Sequence, residues 1–298
     1  MPAPNSRRES LKLLGTAALA AGIFACETER QTAEVAAETP APEPLKGNVN
    51  HAASSWCYNN IPLVDLCRRG KEIGLSGVDL VTPDDWKTVL DEGLAVSMGY
   101  GTELGLTTGF NDPTLHEQLI REYRANIERA AEMGVKRLAC FSGNRNGKSE
   151  SEGLDNCARA LAQLMPLAEE KGVILCMETL NSKVDHPDYQ GDNMPWCVEL
   201  VERVNSPSFK LLYDIYHMQI MEGDIIRTIR NQHQHISHYH TGGNPGRNEI
   251  NDSQELYYPA ICKAIVETGF DGFVAQEFIP TREDRLESLA EAIRICDV

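Results

Sequence analysis

Residues Phe209 to Arg247 read FKLLYDIYHMQIMEGDIIRTIRNQHQHISHYHTGGNPGR. Two short apolar runs, each ending in polar residues, flank a stretch with helical spacing. The first run stops at Asp214, with His217 three residues on. The second stops at His240 and passes into Gly242, Gly243, Pro245, Gly246 and Arg247. A buried strand that ends in an acid or an imidazole and then enters a Gly/Pro-rich loop is how a parallel barrel presents chemistry at its C-terminal face.

The rest of the body carries the same alternation. Strand-like runs fall at Val49–Ser54, Gly77–Leu80, Ala95–Gly99, Arg137–Phe141, Val173–Glu178, Lys210–Asp214, His235–His240 and Gly272–Glu277. Amphipathic helical patterns fall between them, over Leu63–Ile73, Pro113–Met133, Gly153–Lys171, Trp196–Val204, Asp224–Asn231, Leu256–Thr268 and Arg282–Ile295. Gly134 and Gly172 stand where a left-handed helix cap is expected. Strands alternating with helices in this number, over about 250 residues, predict an α/β fold of the (β/α)8 TIM barrel kind in a single domain. A doubly wound sheet would want a Gly-rich phosphate loop after its first strand. Ser54-Ser55-Trp56-Cys57-Tyr58 offers none.

The 298 residues are 42% hydrophobic and 24% charged, enough for one large core, and the formal charge is -16. That balance repels nucleic-acid backbones and anionic membranes and argues against a nucleic-acid partner. The first residues stand apart. Arg7-Arg8 followed by the apolar run Leu13–Ala25 predicts a twin-arginine export signal over residues 1–26. Ile23-Phe24-Ala25-Cys26 has the form of a lipobox, so Cys26 is the expected lipid anchor of an exported, periplasmic protein; plain secretion is the alternative. Residues 27–46, rich in Ala, Glu, Pro and Thr, read as a disordered linker, with the barrel over 47–298. Nine cysteines with no C-x-x-C spacing give neither a zinc-finger pattern nor an obligatory disulfide framework.

Glu178, Asp214, His240 and Glu277 end the last four predicted strands. One acid at a strand end is usually a helix cap, and one His usually a packed filler. Four together, on strands about 4.8 Å apart, converge on one point of a lumen. A dry barrel mouth does not hold several acids without a cation. Oxygen and imidazole donors suit Mn²⁺, Mg²⁺, Co²⁺ or Zn²⁺ and disfavour thiolate metals. His238, two residues before His240, faces the same side one layer deeper and reads as packing or support for the ligands. His217 and Arg247 are candidate substrate contacts. Lys183, His186 and Tyr189 lie in a long loop after the Glu178 strand, which reads as a lid, with His186 a further substrate contact. Trp56 reads as a packing residue or a wall of the mouth.

Glu178-Thr179-Leu180-Asn181, Tyr213-Asp214-Ile215-Tyr216-His217, the run His240 to Arg247, and Gln276-Glu277-Phe278 resemble the hydroxypyruvate isomerase family of the xylose isomerase-like TIM barrels. The resemblance runs from about Asn50 to the C-terminus and is strongest after Val173. It implies that Glu178 and Glu277 bind a divalent metal and act as the acid/base pair, with Asp214 and His240 completing the ligands. It places substrate binding on His217 and Arg247. The hydroxypyruvate branch often has Gln where this chain has His240, and His there is more like the neighbouring tagatose 3-epimerase group. The implied activity is isomerisation of a small hydroxycarbonyl compound, hydroxypyruvate to tartronate semialdehyde, through an enediolate. An exported ketose 3-epimerase, a keto-glycoside lyase or hydrolase on the same barrel, and a non-catalytic carbohydrate-binding protein are the alternatives. The expected partner is a small sugar or hydroxy-keto acid. Membrane contact is expected only through the lipid anchor. Oligomeric state is not legible, although dimers and tetramers are common among such barrels.

Overall fold

Inward-facing and outward-facing residues alternate along each apolar run, and the computed structural model turns that alternation into a closed barrel over residues 43–298. The export signal of 1–26, Cys26 and the linker up to residue 42 lie outside the described residues. The strands are β1 (Asn50–Ser54), β2 (Gly77–Asp79), β3 (Ala95–Val96), β4 (Gly99–Tyr100), β5 (Arg137–Cys140), β6 (Ile174–Glu178), β7 (Phe209–Asp214), β8 (Ile236–Thr241) and β9 (Phe273–Gln276). They form one sheet in the order β3-β2-β1-β9-β8-β7-β6-β5-β4, with every pairing parallel. Only Ser97 and Met98 separate β3, which pairs with β2, from β4, which pairs with β5. The single strand expected over 95–99 is therefore one barrel strand in two halves, each bonding a different neighbour. A parallel bridge from Val81 to Gly99 joins the two sides.

The helices are α1 (Leu63–Glu72), α2 (Trp86–Asp91), α3 (His116–Met133), α4 (Glu150–Leu161), α5 (Met165–Lys171), α6 (Met194–Val204), α7 (Ile215–Met221), α8 (Ile225–Gln232), α9 (Tyr258–Glu267) and α10 (Arg285–Cys296). Gly134 and Gly172 take the left-handed caps of α3 and α5, at φ 76° and 65°. The expected helix over 153–171 is two helices. Pro166, which lacks an N–H and crowds the preceding turn, sits at the start of α5 and cannot continue α4. A capping box between Ser149 and Glu152 starts α4 earlier than the apolar pattern suggests. Short helices α2 and α7 were not legible, because each is under two turns, and α7 follows β7 with no residue between them.

Outward positions such as Leu138, Leu175, Leu211 and Tyr239 join one core between barrel and helices. Inward positions Leu80, Met98, Ala139, Cys176 and Leu212 plug the lumen. All eight described cysteines are free and buried. No helix among the described residues is long and apolar enough to cross a membrane.

One irregularity positions the chemistry. The β7–β8 register runs Leu211 to Ile236, then Leu212 to His238, so Ser237 is an extra residue in β8. A bulge of this kind changes which side chains oppose each other. Beyond it, His240 lies beside Asp214; an unbulged ladder would put Tyr239 there.

Candidate metal centre and active site

Glu178 ends β6, Asp214 ends β7, His240 lies in β8 and Glu277 directly follows β9. All four side chains are buried, and each offers a donor atom such that all four atoms lie within 4.8 Å of one another. His240 is the hub. Its Nδ1 stands 2.7 Å from Glu277 Oε2, 3.2 Å from Glu178 Oε1 and 3.9 Å from Asp214 Oδ2. Its Nε2 lies 2.7 Å from Asp79 Oδ2 at the end of β2. Asp79 also has His238 Nε2 2.9 Å from Oδ1 and accepts from Ser97 Oγ at 2.8 Å. Burial opposes a charge on Asp79, but His238 and His240 outweigh it and hold the carboxyl well below the usual range. An ionised Asp79 is an acceptor only, so His240 keeps its proton on Nε2 and turns Nδ1 toward the three acids.

Asp214 does two jobs. Oδ1 accepts from the His217 N–H at 3.1 Å and caps α7, while Oδ2 faces the cluster. The usual reading of a strand-end acid and the functional one therefore both hold, one per oxygen. Burial, then Glu277 and Glu178, push Asp214 up to about 8 against the pull of Arg247 and His240. Burial and Glu277 likewise raise Glu178. Glu277 goes the other way: burial opposes its charge, but His240 and Arg247 hold it well below the carboxylate range. Trp56 Nε1 donates to Glu277 Oε1 at 2.7 Å, which fixes that carboxylate.

Arg247 lies on the same cluster. Its Nη2 donates to Glu277 Oε2 at 2.8 Å and reaches Asp214 Oδ2 at 3.4 Å. The guanidinium sits 5.2 Å from the Trp56 ring and 5.4 Å from the Tyr216 ring, on a backbone with φ 57°. A substrate carboxylate would have to compete with Glu277 for it.

His217 is held in one tautomer. Asn181 Oδ1 accepts the N–H groups of Val184 and Asp185, so its Nδ2 is the donor that meets His217 Nδ1 at 2.6 Å. The proton then sits on His217 Nε2, which is buried, unpaired and 3.6 Å from Asp214 Oδ2. Burial and Arg247 keep the ring well below its ordinary range, hence neutral. A buried N–H without a partner costs about 1–3 kcal/mol, which a ligand oxygen would recover. His186 is half-buried with its ring 5.2 Å from that of His217. Its loop is pinned rather than loose. Arg145 bonds Asp192 at 2.9 Å as well as the carbonyl of Tyr189, and Lys183 Nζ bonds the carbonyls of Ile220 and Met221.

The structure thus brings Glu178, Asp214, His240, Glu277, His217 and Arg247 together, with His186 at the rim. Above the acids is a cavity of about 290 Å³ whose walls include Trp56, Tyr100, Phe141 and Leu180. Asp79 and Asn181 were missed as site residues, and Trp56, expected as packing or a wall of the mouth, is a wall that also holds Glu277. Asp79 carries the same strand-end signal as the three acids and the imidazole, on a strand of three residues. Three carboxylates and one imidazole, buried and mutually close, fit a hard or borderline divalent cation; Glu178, Asp214, His240 Nδ1 and Glu277 would hold it.

The family model for xylose isomerase-like TIM barrels matches residues 68–296. A human protein named putative hydroxypyruvate isomerase is 26% identical over 245 residues, covering 79% of this chain and 81% of the relative. Hydroxypyruvate isomerase of Escherichia coli K12 is 28% identical over 173 residues, 56% of this chain and 65% of its own. Among solved structures, a family 2 AP endonuclease from Brucella melitensis superposes with a TM-score of 0.72 at 24% identity, over 80% of this chain and 96% of its own. The 3-keto-D-glucoside 4-epimerase YcjR of E. coli gives 0.69 at 18%, over 83% and 100%. Those two likenesses speak to the fold; the family model covers most of the barrel, and the chain belongs to the xylose isomerase-like TIM barrels.

Proposed function

We propose that this protein is a divalent-metal-dependent isomerase that moves the carbonyl of an α-hydroxycarbonyl substrate by one carbon through an enediolate. The observation that carries the reading is the convergence of Glu178, Asp214, His240 and Glu277 within 4.8 Å beneath a cavity. The curated relatives named hydroxypyruvate isomerase support it and make hydroxypyruvate the first compound to try.

A cation held by these four groups would polarise the substrate carbonyl and stabilise the charge that develops on its oxygens. The chain supplies the proton movements. Glu277, kept ionised by His240 and Arg247, takes the proton from the carbon that bears the hydroxyl. Glu178, raised by burial and by Glu277, holds a proton more readily and delivers one to the neighbouring carbon. Two carboxyls driven apart in this way divide the base and acid roles. The hydroxyl proton passes to the former carbonyl oxygen, and the neutral His217 donates from Nε2 to a substrate oxygen. Trp56 keeps Glu277 aimed.

His240 and the occupied Arg247 favour a second reading. Returned to the opposite face of the same carbon, the proton gives an epimer, and a substrate without a carboxylate leaves the Arg247–Glu277 pair undisturbed. One experiment separates the two. The metal-loaded protein is incubated in deuterated water with hydroxypyruvate and with free ketohexoses, and products are followed by NMR. Deuterium entering the carbon beside the carbonyl, dependent on metal, is expected; the product then tells isomer from epimer. No exchange with any of these compounds sinks both readings and favours a lyase or a binding protein. We also propose, from Arg7-Arg8 and the apolar run after them, that the reaction takes place outside the cytoplasm.

A further inference from the structure

A second and larger cavity, of about 630 Å³, shares the wall residues Tyr100, Leu106 and Phe141 with the cavity above the acids. Its other walls are the loop after β2, the segment after β4, and Asn126 and Arg129 on α3. Sites that take drug-sized ligands run from roughly 300 to 1,000 Å³, so the smaller cavity suits a small fragment and the larger one a unit attached to it.

The lining decides what kind of unit. Pro83, Leu104 and Leu106 join the two aromatic residues as an apolar floor. Arg129 is spoken for: both terminal nitrogens lie on Asp84 Oδ1, at 3.2 and 3.3 Å, and its guanidinium is 5.8 Å from the Trp86 ring. Asp84 and Glu103 outnumber that one cation, so a phosphate or carboxylate is repelled. Asn126 Nδ2 bonds the Gly101 carbonyl at 3.0 Å, and its Oδ1 has no partner among the described residues. Apolar walls with neutral polar groups and a surplus of acceptors match a ring that has C–H faces and hydroxyl edges.

Gly105 adds a different kind of observation. A side chain built there meets nothing within 4 Å, and its backbone is not left-handed. Neither sterics nor conformation within the chain calls for glycine, yet glycine lines the cavity and keeps it open.

We propose that this cavity is a subsite for a neutral pyranose joined to the hydroxycarbonyl unit at the acids, so that the substrate is a keto-glycoside rather than a free three- or four-carbon acid. The substrate class rests on the proton-moving chemistry proposed above; the subsite itself does not. Exchange kinetics of the metal-loaded protein are compared for a 3-ketohexose and for the disaccharide joining that ketohexose to glucose. The KM of the disaccharide is expected to be about tenfold lower. Gly105→Trp should raise it by about the same factor and leave the ketohexose kinetics unchanged, while Gly105→Ala should behave as the unaltered protein. Equal KM values for the two sugars, or a Gly105→Trp protein that is unimpaired or slows both alike, overturn the subsite. If neither sugar exchanges, calorimetry decides the subsite independently of the proton-moving chemistry. Maltose heat that disappears in Gly105→Trp upholds it, and no maltose heat in the unaltered protein overturns it.

Discussion

His240 is one imidazole with two neighbours of opposite consequence. Asp79 accepts the hydrogen bond from Nε2 at 2.7 Å, and that contact aims Nδ1 at Glu178, Asp214 and Glu277. Supporting carboxylates of this sort fix a ligand's tautomer and strengthen its donation. Asp79→Asn should therefore lower metal affinity by roughly 10–100-fold while the far-ultraviolet circular dichroism stays unchanged. Calorimetric titration with Mn²⁺ measures it, and an unaltered affinity would remove Asp79 from the account. The same titration run across pH reads the acids. Asp214 is pushed up to about 8 and His240 is held well above its ordinary range, so the metal-free protein carries protons at these groups near neutrality. Metal must displace them, and apparent affinity should climb as pH rises through that range, with protons released to the buffer; a flat profile would contradict it. Most donors were legible in the sequence because an acid or imidazole at the end of an apolar run is rare by chance. Asp79 was not, because a three-residue strand gives little pattern. Arg247 was expected to contact substrate, and in the structure its carboxylate partners are the protein's own Asp214 and Glu277.

At the level of elements, periodicity gave the barrel and missed its interruptions. Alternation marks which strands exist, but the change of partner between β3 and β4 depends on neighbours far along the chain. The extra residue at Ser237 has no local signal either, although it brings His240 beside Asp214. Pro166 did carry a signal, and it splits α4 from α5 where apolar spacing alone runs on. The loop after β6, expected to be a lid, is tied to its surroundings by several hydrogen bonds. Arg145 bonds Asp192, Glu150 and the carbonyls of Tyr189 and Gln190, which holds that loop against the barrel. With Arg145 and Asp192 largely out of solvent, Arg145→Ala should cost about 2 kcal/mol of stability in denaturant unfolding. It should also speed hydrogen exchange at the amides of Tyr189 to Asp192 well beyond the global change. Exchange there that follows global stability alone would mean the loop has other anchors.

The molecule as a whole joins an acidic barrel to a leader that reads as an export signal. Three carboxylates buried together need counter-charge close by, and Arg247 and His240 supply it within the chain. The location proposed for the protein is testable by itself. Arg7→Lys with Arg8→Lys should leave the protein in the cytoplasm on cell fractionation, and continued export of the doubly substituted chain would refute a twin-arginine route. The barrel was legible from the sequence at this scale because strand count, helix spacing and glycine caps agreed with one another. What the barrel acts on was not, since cavities arise from loops whose packing no periodicity records. The central claim is that Glu178 and Glu277 move a proton on a metal-bound hydroxycarbonyl compound. Glu277→Gln keeps the size and the hydrogen bond from Trp56 while removing the base. Solvent deuterium incorporation should therefore be measured per bound metal in Glu277→Gln and the unaltered protein, at saturating Mn²⁺. A fall of roughly 10³-fold with the metal still bound is expected. Exchange at the unaltered rate would contradict the account.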